Sequence, residues 1–286
     1  MLLSSPAEPL LELLHSRWAH ACDNAPALFN FVVSDTASSD ALHVAASAVE
    51  LGLLPESRIW SAPPALVQRI AGTASPPPPS TVLAQGRWPR EDSSLLSAPV
   101  VGGVTAVPAS SPRRVLVLDA VQDPANVASA VRSAAFLGWH GVVLMPGTCQ
   151  LWRDKVLAGS RLAALALPHL RVQPGQEQAA AAAMSGPGCQ LFVTMPPAAP
   201  TSEPALVGGP GPPPHTTYLA IGNEGHGVSD QIMRGATHVM SLAGGDTASQ
   251  HVQSLNAAAA AAVCMAQLGA PPARIQKVSP ARGSTG

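Results

Sequence analysis

The sequence carries little charge, and neither sign is in excess. Only 12% of its 286 residues are charged, and the formal net charge is −1 at pH 7. Proteins that attract a polyanion with their whole surface are usually strongly basic, so any nucleic-acid site on this chain must be a local patch. Lysine occurs only at Lys155 and Lys277, and arginine, whose planar fork suits phosphate and carboxylate, supplies most of the positive charge.

Aromatic residues and cysteines are scarce as well. Aromatic side chains make up 3% of the chain, and the abundant alanine carries no reactive group. The 4 cysteines are widely separated and form neither a Cys-x-x-Cys pair nor the spacing of zinc ligands. We expect no metal site, and we predict buried thiols in a reducing compartment for Cys22, Cys149, Cys189 and Cys264.

Long apolar runs are missing too. No run approaches the roughly 20 residues that a helix needs to span a bilayer, and the N-terminus lacks a basic stretch followed by an apolar signal core. A transit peptide is rich in Arg and Ser and poor in acids, whereas this chain opens with Glu8, Glu12 and Asp23. We expect a soluble intracellular protein, in the cytoplasm or in an organelle such as a plastid or mitochondrion.

The first third of the chain has the pattern of a small α/β unit. Its predicted elements are a helix over Pro9–Trp18, a strand over Phe29–Val33, a helix from the cap Asp40 to Leu51, and extended segments at Arg58–Trp60 and Thr81–Ala84. From about Leu96 the composition shifts to Ser, Pro, Gly and Val, which is typical of a linker. The predicted organisation is a domain at 1–96, a linker at 97–112, a second domain at 113–270 and a flexible tail at 271–286.

The second half alternates strands and helices, which predicts an α/β fold with a mostly parallel sheet covered on both faces. The predicted strands are Val115–Leu118, Gly141–Met145, Gln190–Thr194, Thr217–Ile221 and His238–Leu242. Asp123 is placed to cap a helix that has Pro124 at its first position and Gly138 at its end. The last helix is predicted over Leu255–Leu268.

Three segments of this half stand where a strand ends, which is where open α/β sheets place ligand sites. The first runs from Asp119 to Arg132. Asn126 and Arg132 differ by roughly 120° around a helix, and a long arginine can still reach the rim that Asn126 faces. Val131 and Ala134 flank Arg132, where an arginine is costly unless it is paired. The alternative is an asparagine in a helix cap and an arginine on a solvated helix face.

The second segment is a glycine loop over Ile221–Val228 that contains Asn223 and Glu224. Glycines let a backbone approach a ligand closely or adopt a positive φ. The Gly-x-x-Gly-x-Gly spacing fits neither the dinucleotide fingerprint nor the Walker phosphate loop, which argues against nucleotide hydrolysis. The alternative is a tight turn with a solvated carboxylate and an exposed His226.

The third segment, Gln253–Asn256, leads into an alanine-rich helix. Ser254 and Asn256 stand where exposed backbone amides and the helix dipole favour polar or anionic groups. Helix capping by Ser254 is the alternative explanation. The alanine run leaves a thin helix that can pack closely inside the protein or against another subunit.

In order and spacing, these segments resemble the motifs of a known family. The SpoU (TrmH-like) RNA 2′-O-ribose methyltransferases of the SPOUT superfamily have three motifs similar to Asp123-Pro-x-Asn126 with Arg132, Gly222-Asn-Glu-Gly225-x-Gly227, and Ser254-Leu-Asn256. The match covers about 114–268. It implies a C-terminal trefoil knot, a rare exception to unknotted topology, with S-adenosylmethionine bound in it, RNA as substrate, and a homodimer whose two subunits complete each site. The N-terminal unit resembles the small RNA-binding domain that often precedes this catalytic domain.

The resemblance also implies roles for particular residues. Arg132 would orient or activate the ribose 2′-hydroxyl, and Glu224 would sit with Asn223 beside the methyl donor. The implied catalytic residues are Asn126, Arg132, Glu224, Ser254 and Asn256. The residues implied to enclose the cofactor are Thr194, Gly222, Asn223, Gly225, Met240, Leu242 and Leu255. Attack of a hydroxyl on a sulfonium methyl depends on positioning, an arginine helps by stabilising the developing alkoxide, and no metal is demanded.

The sequence departs from the family pattern at three places. Ala128 stands where a glycine is usual, Met240-Ser241 replaces an Ile-Pro pair, and the connector Gly245–Gln253 is longer than usual. The last two changes fall in the cofactor loop, where they favour weak or altered cofactor affinity. All the chemical side chains of the motifs are retained.

The leading functional hypothesis is therefore an RNA ribose 2′-O-methyltransferase, with rRNA favoured over tRNA because of the N-terminal unit. The alternative is an RNA-binding protein with the same fold and little or no turnover, such as a ribosome assembly factor. The retained motif residues argue against that alternative, and Met240-Ser241 argues for it. A hydrolase is disfavoured, because the sequence has no Gly-x-Ser-x-Gly elbow.

Overall fold

The computed structural model describes residues 2–14, 28–96, 112–195, 215–242 and 255–269. Several predicted features lie outside these ranges: all of the linker except Pro112, the tail 271–286, the connector Gly245–Gln253, Ser254 and Cys22. Of the other cysteines, Cys149 and Cys264 are buried free thiols as predicted, and Cys189 is only half-buried. In the described ranges no helix is both long and apolar enough to cross a bilayer.

The first part of the chain folds around a four-stranded sheet, of order β1-β4-β2-β3 within the described ranges. Its elements are β1 (Leu2–Pro6), α1 (Ala7–Leu14), β2 (Leu28–Ser34), α2 (Ser39–Glu50), a 3₁₀ turn (Glu56–Arg58), β3 (Ile59–Ala62), α3 (Pro64–Ala71) and β4 (Thr81–Gly86). Alternate residues of a strand face opposite sides. Phe31 and Val33 accordingly join the core beneath α1 and α2, whereas Val32 packs beside Val67 of α3.

Three local predictions for this unit are corrected. The cap of α2 is Ser38, whose hydroxyl accepts the backbone N–H of Ala41 at 3.4 Å, whereas Asp40 lies in the first turn, where its charge still complements the helix dipole. Arg58 belongs to the 3₁₀ turn, so β3 begins one residue later. The helix predicted from Pro9 begins earlier, at Ala7. Both β1 and α3 are missing from the prediction.

The second part is a six-stranded sheet, of order β10-β8-β9-β5-β6-β7 among the described residues, and every pair in it is parallel. Its elements are β5 (Arg113–Leu118), α4 (Pro124–Phe136), β6 (Gly141–Leu144), α5 (Asp154–Gly159), α6 (Ala163–Ala166), β7 (His169–Arg171), α7 (Glu177–Met184), β8 (Cys189–Met195), β9 (Thr216–Ile221), α8 (Asp230–Gly235), β10 (His238–Ser241) and α9 (Ala257–Gln267). The predicted α/β fold and parallel sheet are confirmed. The trefoil knot stays a prediction, because residues 243–254 between β10 and α9 are outside the described ranges.

Both faces of this sheet are buried, as near-continuous apolar strands require. In β5, Leu116 and Leu118 join the core that contains α4, α5 and α9, while Val115 and Val117 join the core beneath α7 and α8. The chain moves from β5 outward to β7 and then returns to the other side of β5 through β8 and β9. The strand order therefore reverses between β5 and β9, and ligands of open α/β sheets bind at the carboxyl ends of the strands at such a point.

Helix α4 begins as its sequence predicts. The Asp123 carboxylate accepts the backbone N–H of Ala125 at 3.0 Å, and Pro124 occupies the first helical position. Ala128, which replaces the usual glycine, is buried against Gly159 of α5, where an added Cβ on Gly159 would come within 2.9 Å of the Ala128 Cβ. The missing side chain at Gly159 thus makes room for the methyl group of Ala128.

Residues 88–96 pack along the β7 edge of the second sheet. Trp88 stacks on Trp152 with ring centroids 4.9 Å apart, and the Asp92 backbone N–H donates to the His169 carbonyl at 2.8 Å. Leu95 is part of the apolar core of the second sheet, and the Tyr218 hydroxyl donates to the Leu95 carbonyl at 2.7 Å. The predicted division into domains at 1–96 and 113–270 stays a prediction, and these contacts show that the last residues assigned to the first domain pack against the second sheet.

Acid should weaken the fold through His169. Its ring is buried edge-on against Trp152, and burial, with help from Arg171 and against the effect of Asp92, lowers its pKa from 6.5 to about 4. A depressed histidine pKa gives stability that is complete above pH 6.5 and is lost as the pH falls towards 4, because the unfolded chain binds the proton first. We expect the free energy of unfolding to fall by about 2 kcal/mol between pH 8 and 5 from this residue.

Urea unfolding of the wild type and of His169→Gln at both pH values measures this contribution, because glutamine does not titrate. The variant should be less sensitive to acid by about 2 kcal/mol. Equal losses in the two proteins would show that another group carries the acid sensitivity.

Candidate active site

A cavity of about 370 Å³ opens at the carboxyl ends of β8, β9 and β10, a volume suited to a small-molecule ligand. Strand residues form one side, the glycine loop after β9 forms the rim, and the first turns of α9 close the opposite wall. All seven residues that the family resemblance implies for the cofactor line it: Thr194, Gly222, Asn223, Gly225, Met240, Leu242 and Leu255. The topology therefore gathers residues from four separate elements.

The glycine loop is held shut at its base by a pair of backbone hydrogen bonds. The Asn223 N–H donates to the Gly227 carbonyl at 2.9 Å, and the Gly227 N–H donates to the Asn223 carbonyl at 2.8 Å. Gly227 has a φ of 72°, which favours glycine. An added Cβ on Gly222 would come closer than 3.0 Å to the backbone of Gly227 and Val228. The close approach of two backbone segments therefore requires glycine at 222.

The Asn223 side chain is committed to the shape of this loop. Its Oδ1 accepts the backbone N–H groups of Gly225 at 2.8 Å and His226 at 3.2 Å, and its Nδ2 donates to the Ala120 carbonyl at 3.1 Å. It thus ties the loop to the end of β5. His226 is exposed on the rim, as the alternative reading of the loop expects.

A further residue that supports the site was not singled out from the sequence. Asp119, buried directly after β5, accepts the backbone N–H of Ser229 at 2.7 Å through Oδ2. This bond anchors the far end of the glycine loop to β5. The sequence did offer a signal for this role, since an acidic residue follows immediately after a continuous apolar strand. A carboxylate buried at that place needs a hydrogen-bond donor.

Side chains from all three motifs meet beside the cavity. The Asn126 amide nitrogen donates to Oε1 of Glu224, and the Asn256 amide nitrogen donates to Oδ1 of Asn126 at 2.8 Å. Oε2 of Glu224 makes no hydrogen bond within the described ranges and remains free to accept one. The structure thus joins the first, second and third segments in one chain of hydrogen bonds.

Asn256 also caps α9, which corrects the predicted start of that helix. Its Oδ1 accepts the backbone N–H groups of Ala258 at 2.9 Å and Ala259 at 3.4 Å, so the helix begins at Ala257 rather than at Leu255. Leu255 precedes the cap and lines the cavity. The side-chain oxygen of Asn256 therefore caps the helix, while its side-chain nitrogen extends the hydrogen-bond chain to Asn126.

Arg132 lies apart from this cluster. Its side chain is exposed and forms no hydrogen bond or ion pair with any described residue, so the desolvation expected from its apolar neighbours does not arise. Successive helical residues turn by about 100°, which lets Val131 enter the core while Arg132 faces outward. Arg132 shares the exposed side of α4 with Ala125, Ser129 and Phe136, and Phe136 is 88% exposed.

The described part of the cavity wall contains one thiol, Cys264 of α9. Burial raises its pKa to about 11, so it is neutral at physiological pH. Together with Met240 and Leu242 it gives the inner part of the cavity an apolar, uncharged character. The rim, in contrast, carries the Glu224 carboxylate, so the site combines an apolar interior with a polar entrance.

A family model matches residues 113–266, more than half of the chain, and it describes the SpoU rRNA methylase family. The chain belongs to this family. The matched range includes the parallel sheet, the glycine loop and nearly all of α9. The SpoU assignment thus rests on the same residues that build the cavity.

A curated relative is an uncharacterised tRNA/rRNA methyltransferase of Synechocystis, 30% identical over 153 residues, or 52% of this chain and 50% of that protein. The chain therefore spans about half the length of this relative. An AdoMet-bound rRNA methyltransferase of Sinorhizobium meliloti has the same fold, with a TM-score of 0.63, 18% identity, and coverage of 93% of this chain and 86% of that one.

A second solved structure with this fold is the SpoU methyltransferase AviRb of Streptomyces viridochromogenes in complex with the cofactor AdoMet. Its TM-score is 0.59, its identity is 20%, and the alignment covers 91% of this chain and 96% of that one. Both solved structures therefore share the fold of this chain although their sequence identities to it are only 18% and 20%.

Proposed function

We propose that the chain is an RNA methyltransferase that uses S-adenosylmethionine to methylate a ribose 2′-hydroxyl, with rRNA favoured over tRNA. The observation that carries this proposal is the meeting of Asn126, Glu224 and Asn256 beside the cavity of about 370 Å³. Family membership and the names of the relatives support the same reaction class. The N-terminal unit, as a substrate-binding domain, is the reason for favouring rRNA.

The cavity fits the methyl donor. Met240, Leu242 and Leu255 offer apolar surface for an adenine ring, and the glycine loop lets the backbone approach the ligand closely. The Glu224 carboxylate at the rim complements a positive sulfonium. When bound, S-adenosylmethionine supplies an electrophilic methyl group. The proposal includes the trefoil knot that the family resemblance implies.

The residues at the rim are arranged to position a hydroxyl. Asn126 holds one oxygen of Glu224, and Asn256 in turn holds Asn126. This leaves Oε2 of Glu224 to accept a hydrogen bond from the ribose 2′-hydroxyl, to direct the oxygen lone pair towards the methyl carbon, and to take up the hydroxyl proton as the methyl group passes from sulfur to oxygen. Orientation of this kind supplies much of the rate of a group transfer.

The proposed role of Arg132 requires a homodimer. Arg132 lies on the outer face of α4 that also carries the exposed Phe136, so both side chains are available to a second subunit. In the proposed dimer, Arg132 of one subunit reaches the cavity of the other and stabilises the developing alkoxide. Its position outside its own cavity supports this arrangement.

Binding and transfer of labelled S-adenosylmethionine test the proposed function. The purified protein should bind the methyl donor and should label rRNA in preference to tRNA, at ribose 2′-oxygens identified by 2′-O-methyl mapping. Absence of donor binding would favour the alternative of an RNA-binding protein without turnover. The supporting observation for that alternative is the Met240-Ser241 pair, of which Met240 lines the cavity.

Two replacements of Asn256 should separate helix capping from catalysis. Asn256→Asp keeps the oxygen that caps α9 but loses the donor to Asn126, so we expect unchanged stability and roughly ten-fold or more slower transfer. Asn256→Ala loses both the capping oxygen and the donor to Asn126, so it should also cost about 1 kcal/mol of stability. Thermal unfolding and initial rates measure the two effects, and full activity of Asn256→Asp would contradict the proposed link.

A further inference from the structure

One face of the first sheet is only partly covered. Val67 of α3 packs over Leu83 on that face, whereas the part towards the start of β2 and β3 is open. There, a concave surface of about 720 Å³ contains Trp60, Asn30, Gln85 and Arg58. We refer to these four residues as the Trp60 platform. Trp60 is 55% exposed, which is a large exposure for the biggest apolar side chain.

Strand register places the members of the Trp60 platform side by side. Asn30 pairs with Gln85 across the antiparallel β2–β4 ladder, and Val32 pairs with Trp60 across the parallel β2–β3 ladder. Residues two apart on a strand share a face. Val32 and Asn30 therefore point to the side that carries Trp60 and Gln85.

A short chain of hydrogen bonds fixes the indole. Trp60 Nε1–H donates to Oδ1 of Asn30 at 3.3 Å, and Nδ2 of Asn30 donates to Oε1 of Gln85 at 2.6 Å. One edge of the ring is thus held while its face stays exposed. The Gln85 amide nitrogen and the Arg58 guanidinium have no partner in the described part of the chain, so both remain available to a ligand.

This combination matches the chemistry of an unstacked nucleobase with its phosphate. Bases stack on exposed aromatic rings, amide groups bond their edges, and arginine binds the backbone. Among the residues that the structure describes, Arg58 is the only charged one that lines the surface, so no carboxylate of that set repels a polyanion there. We propose that the Trp60 platform binds one unpaired nucleotide of the RNA substrate, an inference that rests on the proposed RNA methyltransferase function.

Fluorescence anisotropy of a labelled single-stranded ten-nucleotide RNA, with a duplex of the same length for comparison, tests the platform in the full-length protein. Trp60→Ala should weaken binding of the single strand about ten-fold, because one stacked base is lost. Trp60→Phe, which keeps a ring but no N–H donor, should retain most of the affinity. Leu42→Ala, which truncates a side chain that is 53% exposed on α2, should bind like the wild type.

The outcomes distinguish failure of the Trp60 platform from failure of the proposed methyltransferase function. If the wild type methylates RNA while Trp60→Ala matches it in Kd and KM, the platform is refuted and the function stands. If the single strand binds through Trp60 but no methyl is transferred, the platform stands and the function fails. Loss of self-association or of a protein complex in Trp60→Ala, with RNA affinity intact, would assign the surface to a protein partner and overturn the proposal. Thermal unfolding of each variant checks that it is folded.

Discussion

Replacing Arg132 with alanine should reduce methyl transfer by roughly 100-fold or more while leaving the Kd for S-adenosylmethionine nearly unchanged. The reduction follows from removing a positive charge from the developing alkoxide, and single donors of this kind are worth about 10²–10³ in kcat. The Kd should stay unchanged because Arg132 does not line the cavity of its own subunit, and because in the proposed dimer it acts on the ribose oxygen rather than on the methyl donor. Single-turnover transfer and donor binding measure the two quantities separately.

Arg90→Ala is the matched control, since it removes another exposed arginine without touching α4 or the cavity. It should transfer at the wild-type rate. Arg132→Lys should recover little, because a point charge lacks the planar fork of arginine. Full activity of Arg132→Ala would refute its proposed role.

Mixed dimers test whether Arg132 acts across the subunit interface. Arg132→Ala keeps an intact cavity, and Gly222→Ala, whose cavity we expect to fail, keeps an intact arginine. If the arginine serves the other subunit, co-expressing the two inactive chains should restore about a quarter of the wild-type activity, because half of the random dimers carry one complete site. If the arginine serves its own subunit, the mixture should stay inactive.

The second sheet was predictable because local and global signals agree there. The buried strands are continuous apolar runs, and α4 carries an unambiguous start in Asp123 and Pro124. The meeting of the motifs also followed from topology, since the carboxyl ends of parallel strands lie along one edge. The missed elements have weaker signals. β1 is a short edge strand that ends in a proline, α3 is a helix of 8 residues placed between loops, and β7 is an edge strand of only 3 residues.

The details of the site were less predictable, because they depend on tertiary packing that the spacing of residues in the sequence does not determine. The phase of α4 decides that Val131 is buried and Arg132 exposed, and this phase is set by packing against α5 and α9. Ser38 and Asp40 are both acceptable caps for α2, and only the chain path before the helix selects between them. The role of Asp119 could not be predicted, because its hydrogen-bond partner Ser229 lies 110 residues away along the chain.

The glycine loop should be the most sensitive part of the cavity, and Gly222→Ala should abolish measurable binding of S-adenosylmethionine. The new Cβ would come closer than 3.0 Å to the Gly227 carbonyl group and the Val228 nitrogen. Both obstacles are backbone, so no rotamer change relieves them. The paired hydrogen bonds between Asn223 and Gly227 must then break, and we expect a stability loss of about 3 kcal/mol from overpacking and the lost bonds.

The neighbouring glycines provide a graded series against which this result can be judged. A Cβ on Gly225 would meet only Oδ1 of Asn223 at 3.4 Å, an ordinary contact, so Gly225→Ala should bind the donor almost normally. A Cβ on Gly227 meets nothing but would sit at a φ of 72°, which costs about 1–2 kcal/mol. Calorimetric binding and thermal unfolding should therefore rank the damage as Gly222 first, Gly227 second and Gly225 last. Equal effects at all three positions would mean that general loop flexibility, rather than the close backbone contact at Gly222, holds the cavity in shape.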